Sequence, residues 1–392
     1  MSGRRLPRLA HMSGPSAAVE RLQPFGATIF AEMTALALER GAVNLGQGFP
    51  DWDGPAAMLE VARGQISTGN NQYPPVRGAA ELRQAICEDR ARNFDVEYDP
   101  GTEALVTTGA TEAIAATILG LVEPGSEVIL IEPYYDSYAA AVALAGSTRV
   151  TVPLVPDGTG FALDVDALRS AVSEKTAMIV VNSPHNPTGT IFGLAELSAI
   201  AELAVERDLL VLADEVYERL TFGLVHIPIA TLPGMASRTV TVSSAGKTFN
   251  VTGWKVGWAL ASQTLLDGVL AAKQFLTFSG GAPFQPAVAH ALRHEQAWVT
   301  DLVADLQRKR DLLTHALEGA GLSPFRTEGT YFVCARVDQD ALSYCRALPA
   351  SRGVAAIPVT VFTDHPEPWR EIVRFAFCKT DEVLAEGIRR LT

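Results

Sequence analysis

Short apolar runs alternate with longer amphipathic stretches through the middle of the chain. The apolar runs are rich in β-branched residues and have the continuous pattern that is typical of strands buried on both faces. They predict six strands, at residues 104–108, 127–131, 177–182, 209–213, 239–243 and 256–261. The stretches at residues 111–121 and 194–206 have the spacing of amphipathic helices. This alternation predicts an α/β domain in which helices cover a largely parallel sheet.

The pattern changes after residue 285, which predicts a second and smaller domain. A long helical stretch is followed by three apolar runs, as expected for an α+β unit, at residues 287–320, 331–337, 354–358 and 373–377. A chain of 392 residues also exceeds the size of one ordinary core. The expected division is a disordered leader (1–20), an N-terminal segment (21–50), a large domain (51–285) and a small domain (286–392). The N-terminal segment, with a helix-like stretch at 28–39, is expected to pack on the small domain because it is too short for its own core.

Composition and charge disfavour several classes of partner. The formal net charge of −12 argues against nucleic acids and anionic membranes. No apolar stretch approaches the roughly 20 residues that span a bilayer, and the basic residues 1–12 lack the apolar segment of a secretory signal. Four cysteines without a CxxC motif favour buried, reduced thiols in a cytoplasmic protein. His290 and His294 have helical spacing without a recognisable third ligand, so we expect no metal site.

Polar and glycine-rich clusters directly follow five of the predicted strands. They occupy residues 109–111, 132–135, 182–189, 214–217 and 243–247. The carboxyl ends of parallel strands meet at one edge of a sheet, where α/β folds bind ligands. We therefore expect the five clusters to converge on one site.

Lys247 gives this site its predicted chemistry. It follows a strand, lies near the hydroxyl of Ser244, and precedes a second cation, Lys255. A lysine amine can form an imine with an aldehyde, while Ser244 and Lys255 can bind a phosphate. The combination predicts pyridoxal 5'-phosphate as the cofactor.

Asp214 and Asn186 are candidates for contacts to the cofactor ring. The Asp214 carboxylate leaves a buried strand and needs a partner, which a protonated pyridine nitrogen would supply. Capping of a following helix is the alternative. Asn186 lies between Pro184 and Pro187, which restrict the loop and aim its amide at a ligand oxygen. Tyr217 could bond to the phenolic oxygen of the cofactor or simply pack in the core.

Three other positions have both a functional and a structural interpretation. Small residues at a helix start leave free amides for a phosphate, although ordinary capping uses them too; they are Gly109, Ala110 and Thr111. Tyr135 could stack on a planar cofactor or belong to the core. Arg374 lies inside an apolar run, where its guanidinium would bind either a substrate carboxylate or an acidic side chain.

Seven motifs together indicate a family. They lie at residues 44–51, 71–73, 183–189, 214–217, 244–249, 253–257 and 374–375. From about residue 20 to 392 the chain resembles the class I/II aminotransferases among the fold-type I pyridoxal-phosphate enzymes. The runs at 45–51 and 244–249 resemble the branch with kynurenine, glutamine and methionine aminotransferases. The whole chain is similar to the bacterial N-succinyldiaminopimelate aminotransferases of lysine biosynthesis within that branch.

The resemblance implies a seven-stranded, mostly parallel sheet and exchange of an amino group between an amino acid and a 2-oxo acid, with 2-oxoglutarate and glutamate as the expected pair. Lys247 would form the Schiff base, Asp214 would pair with the pyridine nitrogen and Tyr135 would stack on the ring. The resemblance also implies that Asn186 and Tyr217 would bind the cofactor phenolate. The cofactor phosphate would be bound by Ala110, Thr111, Ser244 and Lys255. The substrate carboxylate would be bound by Arg374, Asn186 and Gly48. Many relatives carry arginine at the position of Lys255, which is also a cation. Tyr73 would reach the phosphate of the neighbouring subunit, which implies a homodimer with shared active sites.

The sequence leaves the amino donor open. Residues 275–282 contain no arginine, whereas relatives specific for dicarboxylates carry one there, so aspartate is disfavoured. Arg77, Arg326 and Lys273 are possible contacts for a distal carboxylate, with a solvated surface charge as the alternative for each. The same site residues would also support a β-eliminating C–S lyase. A non-catalytic sensor module of a transcription factor is disfavoured, because the residues before the match cannot form a DNA-binding domain.

Overall fold

The computed structural model describes residues 18–26 and 29–392. Its helices are α1 (Ile29–Arg40), α2 (Ala56–Ser67), α3 (Ala80–Phe94), α4 (Gly109–Leu121), α5 (Asp136–Leu144), α6 (Val165–Ala171), α7 (Leu194–Glu206), α8 (Ala245–Thr248), α9 (Gln263–Leu276), α10 (Phe284–His294), α11 (Gln296–Gly319), α12 (Ala341–Ser351) and α13 (Asp381–Leu391). Its strands are β1 (Val43–Asn44), β2 (Ala104–Thr108), β3 (Glu127–Glu132), β4 (Thr148–Asp157), β5 (Gly160–Leu163), β6 (Thr176–Asn182), β7 (Leu210–Asp214), β8 (Thr239–Ser244), β9 (Val256–Leu260), β10 (Ser323–Pro324), β11 (Phe332–Arg336), β12 (Val354–Ala355), β13 (Ile357–Pro358) and β14 (Ile372–Ala376). Single 3₁₀ turns lie at Glu20–Leu22, Ile229–Thr231, Thr252–Trp254, Val359–Phe362 and Glu367–Trp369.

The central sheet has the strand order β2-β9-β8-β7-β6-β3-β4-β5. All six predicted strands are present, with ends that differ from the prediction by no more than one residue. The strand patterns did not predict β4, which contains Pro153 and Pro156 and turns at Gly158 into β5. The sheet therefore has the seven strands implied by the resemblance and an eighth, β5, paired antiparallel with the end of β4.

Strand direction determines which residues meet at the edge of the sheet. Strands β8, β7, β6, β3 and β4 pair in parallel. Strand β9 runs against both of its neighbours, β2 and β8. The carboxyl ends of β2, β8, β7, β6 and β3 consequently lie at one edge, together with the amino end of β9.

Both faces of the central sheet are buried. In β3, Val128 and Leu130 join an apolar cluster that includes residues of α4, α5 and α9. Ile129 and Ile131 join the cluster on the other face, with residues of α6, α7 and the C-terminal part of the chain. Successive strand side chains point to opposite faces, so burial on both sides explains the continuous apolar runs in the sequence.

A second sheet, with the order β10-β11-β14-β13, is antiparallel. Strand β1 pairs with β12, which joins the N-terminal segment to this C-terminal part of the chain. The prediction of one continuous helix at residues 287–320 was wrong. The backbone leaves helical geometry at Glu295 (φ −102°, ψ 30°), which separates α10 from α11. Residues 1–17 of the expected leader, and residue 28 of the first expected helix, lie outside the described residues. The domain boundaries stay predictions.

The four cysteines are buried and unpaired, as expected for thiols that belong to the core. They are Cys87, Cys334, Cys345 and Cys378. Within residues 18–26 and 29–392, no helix combines the length and the apolar character needed to cross a bilayer.

Candidate active site

One cavity of about 380 Å³ lies at the carboxyl edge of the central sheet. Twelve of the thirteen candidate residues line it: Gly48, Gly109, Ala110, Thr111, Tyr135, Asn186, Asp214, Tyr217, Ser244, Lys247, Lys255 and Arg374. The volume falls within the range of small-molecule sites. The structure therefore brings together the five clusters that follow separate strands.

One end of the cavity is built to accept an anion. Helix α4 begins there at Gly109, whose φ of +74° favours glycine. Lys255 points its Nζ towards Thr111 Oγ1 at 3.4 Å. Ser244 ends β8 beside them, because its register partner in β9 is Gly257. A helix amino end, a hydroxyl pair and a cation together form a typical phosphate site.

The Asp214 carboxylate is buried at the centre of the cavity, with 3% of the residue exposed. Tyr138 donates to its Oδ2 at 2.5 Å, and the Val216 amide donates to its Oδ1 at 3.3 Å. Burial raises the pKa of Asp214 to about 6, and the hydrogen bond from Tyr138 is the largest effect in the opposite direction. Residues 216–219 form turns, so Asp214 does not cap an α-helix.

Lys247 lies on the short helix α8 and directs its amine into the cavity. Its Nζ donates to the phenol oxygen of Tyr331 at 2.8 Å. Burial lowers the pKa of Lys247 to about 8, so a substantial fraction of the amine is neutral near neutral pH. The rings of Tyr217 and Tyr331 flank it, with centroids 5.5 and 5.4 Å from the nitrogen.

Arg374 is 2% exposed and is held by neutral groups. Its Nη1 donates to Asn186 Oδ1 at 3.0 Å and its Nη2 donates to the Gly46 carbonyl at 3.1 Å. The ring of Phe332 lies 4.0 Å from the guanidinium carbon. Its Nε has no partner, and none of the described carboxylates forms an ion pair with it. A structural ion pair is therefore not its role, and the guanidinium can receive a carboxylate from a ligand.

Asn186 and the two predicted tyrosines surround the same space. The side-chain oxygen of Asn186 accepts a hydrogen bond from Arg374, so the side-chain nitrogen of Asn186 is available to donate to a ligand. Tyr217 is 2% exposed and meets the Tyr331 ring edge-on at 5.2 Å. Tyr135 lines the cavity and meets the Tyr138 ring edge-on at 5.7 Å.

The family follows from the sequence match. The family model described as aminotransferase class I and II matches residues 40–391. The chain belongs to this family. Its resemblance to these enzymes, its fold class and its activity as an aminotransferase, all expected from the motifs, are confirmed.

Two relatives and one solved structure place this aminotransferase within the family. Over 387 residues it is 56% identical to a probable N-succinyldiaminopimelate aminotransferase of Mycobacterium tuberculosis, covering 95% of this chain and 98% of the relative. The methionine aminotransferase of Escherichia coli is 38% identical over 378 residues, with 95% and 97% covered. The solved structure of N-succinyldiaminopimelate aminotransferase from Mycobacterium tuberculosis has a TM-score of 0.94 and 57% identity, covering 96% of this chain and 99% of that one.

Class I and II aminotransferases depend on pyridoxal 5'-phosphate, so the cofactor predicted from Lys247 is confirmed. The cavity of this aminotransferase fits that group on its own chemistry. A lysine amine, an anion site at the start of α4 and a buried carboxylate without a cationic hydrogen-bond partner all face it. These features correspond to the aldehyde, the phosphate and the ring nitrogen of the cofactor.

Tyr73 does not reach the cavity of this aminotransferase. It is 82% exposed, and its ring contacts Phe278 at 5.6 Å. The expected contact to a neighbouring subunit stays a prediction. Of the three possible distal contacts, Arg77 pairs with Asp267 at 2.5 Å and Arg326 pairs with Glu328 at 3.0 Å.

Lys273 is buried, contrary to the surface position that the sequence suggested. Lys273 is 2% exposed, and its Nζ donates to the carbonyl oxygens of Val76 and Phe278. Its interpretation as a solvated surface charge was therefore wrong, because backbone carbonyls hold it in the interior, and a distal contact stays a prediction. The rings of His290 and His294 lie 4.7 Å apart and are not part of any group with metal-ligand geometry in the described chain.

The sequence patterns did not identify three aromatic residues that contact predicted site residues. Tyr138 bonds to Asp214, Tyr331 bonds to Lys247, and Phe332 stacks on Arg374. Each has an apolar ring that the sequence pattern assigns to the core. The one available signal was the position of Tyr138 on the same helix face as the functional candidate Tyr135, three residues earlier.

Proposed function

We propose that this enzyme exchanges an amino group between N-succinyl-LL-2,6-diaminopimelate and the 2-oxoglutarate/glutamate pair, as a step of lysine biosynthesis. The observation that carries this proposal is the 56% identity, over nearly the full length of both chains, to a relative of that name. The methionine aminotransferase of Escherichia coli shares 38% with this chain.

Residues of the cavity would hold the cofactor at its phosphate and at its ring. The amides of residues 109–111 and the side chains of Thr111, Ser244 and Lys255 would bind its phosphate. Tyr135 would stack on the ring, and the amide of Asn186 with the hydroxyl of Tyr217 would bond to its phenolic oxygen. Lys247 would be the point of covalent attachment.

When bound, pyridoxal phosphate supplies an aldehyde that accepts the amino group and a ring that takes up electrons from the substrate. Asp214 would hold the proton on the ring nitrogen, because its buried carboxylate gains a positive partner there. The neutral amine of Lys247 would move a proton between the substrate Cα and C4' of the cofactor. Arg374, helped by Asn186 and the main chain at Gly48, would bind the substrate α-carboxylate.

We infer further that the enzyme is a cytoplasmic homodimer with shared active sites. Exposed large apolar side chains at and near Tyr73 support an interface. Tyr73 is 82% exposed and Phe275 is 85% exposed, while Leu276 and Phe278 are 47% and 48% exposed. Clustered exposed apolar side chains are typical of subunit contacts. Tyr73 would complete the phosphate site of the partner.

A panel of amino donors tests the proposal. Single-turnover changes in cofactor absorbance should give a specificity constant for N-succinyl-LL-2,6-diaminopimelate at least about tenfold above those for methionine, kynurenine, glutamine and aspartate. A preference for methionine or kynurenine would favour the alternative aminotransferase. Release of pyruvate and ammonia from a cysteine conjugate would measure the β-lyase activity of that alternative.

A further inference from the structure

The phenol of Tyr331 lies between the Lys247 amine and the main chain of Gly48. Lys247 Nζ donates to the Tyr331 oxygen at 2.8 Å, and the Tyr331 hydroxyl donates to the Gly48 carbonyl oxygen at 2.6 Å. None of the roles proposed above uses this tyrosine. Tyr331 therefore connects the reactive amine of Lys247 to the loop that contains Gly48.

The directions of these two hydrogen bonds are fixed. A carbonyl oxygen only accepts, so Tyr331 supplies the proton of its hydrogen bond to Gly48, while the Tyr217 hydroxyl is a second partner of the same phenol. Towards Lys247 the phenol oxygen can therefore only accept. Burial holds the pKa of Tyr331 well above its usual range, so the phenol keeps this proton at neutral pH.

Packing holds the Tyr331 ring in one place. The residue is 1% exposed, and its ring meets Tyr217 edge-on at 5.2 Å and Phe332 at 4.8 Å. The oxygen is thus presented to Lys247 by a rigid group. A lysine side chain has four rotatable bonds, so a fixed acceptor restricts it more than a mobile one would.

We propose that Tyr331 is a positioning residue for Lys247. Its oxygen holds one N–H of the lysine whenever the amine is not attached to the cofactor, and it leaves the lone pair of a neutral amine free to take the substrate proton. Holding the base in place lowers the entropic part of the barrier to proton transfer. This inference rests on the proposed role of Lys247 as proton carrier.

The main chain that accepts the Tyr331 hydrogen bond also contacts Arg374, on the substrate-carboxylate side of the cavity. The Gly46 carbonyl, two residues before Gly48, accepts from Arg374. A β-carbon at residue 48 would lie 2.3 Å from the Phe332 ring, so only glycine allows the loop this close. This loop keeps other contacts when the Tyr331 hydroxyl is removed, since the Gly46 carbonyl accepts from Arg374 and the Gly46 amide donates to Asn44 Oδ1.

The variant Tyr331→Phe tests this, because it removes the hydroxyl and keeps the ring. In the holoenzyme we expect kcat to fall about tenfold or more, the rate equivalent of one hydrogen bond to a charged group. KM and cofactor affinity should stay within about twofold. The isotope effect with an α-deuterated donor should rise, because proton transfer becomes slower. Tyr344→Phe, on α12 and outside the cavity, is the matched control.

A merely structural role would give a different result. It would weaken cofactor binding and raise KM, with the isotope effect unchanged. Either that pattern or an unchanged kcat would overturn the inference. Lys247→Ala separates this outcome from a failure of the premise, since substantial turnover by that variant would contradict the role of Lys247 on which the inference rests.

A second measurement needs no turnover. Cyanate carbamylates neutral amines, so the pH dependence of Lys247 labelling in the cofactor-free full chain reports the titration of this amine. Loss of an acceptor destabilises the charged amine, and the pH of half-maximal labelling should fall by about one unit in Tyr331→Phe. The other groups that act on Lys247 are the same in both proteins: Asp214, Arg374, Lys255 and the thiol of Cys378. An unchanged labelling profile would overturn the inference.

Discussion

The hydroxyl of Tyr138 should set the pH range in which this aminotransferase binds its cofactor. It donates to Asp214 Oδ2 at 2.5 Å, inside a site where burial raises the pKa of Asp214 from 3.8 to about 6. The hydrogen bond stabilises the charged carboxylate and so opposes part of that rise. Tyr138→Phe removes this bond and keeps the ring that packs in the core.

The size of the effect follows from the bond that is lost. A hydrogen bond to a charged group contributes about 1.5–3 kcal/mol, which is equivalent to about one or two pKa units. The Asp214 carboxyl of the variant should therefore titrate about one or two pH units above that of the wild type. The cofactor's ring nitrogen requires the carboxylate form, so affinity falls about tenfold for each pH unit below the pKa of the free protein.

Cofactor affinity should be measured by absorbance titration from pH 5 to pH 9. The two proteins should bind alike at pH 9, and the variant should be weaker by about five- to fiftyfold at pH 6. Lys247 and the phosphate also titrate in this range, so the comparison depends on the difference between the two profiles at low pH. Tyr134→Phe is the matched control, since its phenol also donates to a carboxylate, that of Asp364, outside the cavity. Profiles of Tyr138→Phe and wild type that superpose would refute the reasoning.

Three further variants test separate parts of the site. Lys247→Ala should abolish transamination in a steady-state assay, because no other described amine of the cavity lies beside Tyr331. Substantial residual turnover would contradict the role of Lys247. Arg374→Lys should lower kcat/KM for every donor by about a hundredfold while cofactor affinity is kept, since a lysine cannot make two parallel bonds to a carboxylate; an unchanged kcat/KM would rule this out. Lys255→Ala should weaken cofactor binding by about tenfold or more, and Lys255→Arg should restore it; equal affinities in a titration would exclude a phosphate contact.

Most of the central sheet could be predicted because its strands are buried on both faces. Such strands need apolar side chains at every position, and this pattern is visible in a single sequence. Strand β4 was not predicted because it lies next to the edge of the sheet, where exposed positions and two prolines interrupt the apolar pattern of a buried strand. The interruption at Glu295 could not be predicted either, since glutamate has good helix propensity and the sequence there has no glycine or proline to mark the break.

Side chains at strand ends, and the lone cation Arg374 inside an apolar strand, were predictable as site residues, whereas aromatic side chains that reach the site from packed helices and sheets were not. Asp214 and Lys247 follow strands whose direction alone brings them to the shared edge. Tyr331 and Phe332 come from the C-terminal sheet, where Cys334 pairs with Arg374 and Phe332 with Ala376. That register places Phe332 diagonally across from Arg374 on the same face, and no local pattern in the sequence specifies it.

The phosphate end of the cavity depends on the one strand that runs against the others. Val256 pairs with Thr108 and Gly257 pairs with Ser244, so β9 enters the sheet between the ends of β2 and β8. Lys255, the residue before it, must therefore lie between the start of α4 and Ser244. It adopts a left-handed conformation (φ 52°), which is uncommon for lysine and is held by the strand pairing on both sides. A parallel strand in this place would put Lys255 at the opposite edge, some 15 Å away over five residues, and the anion site would lose its cation.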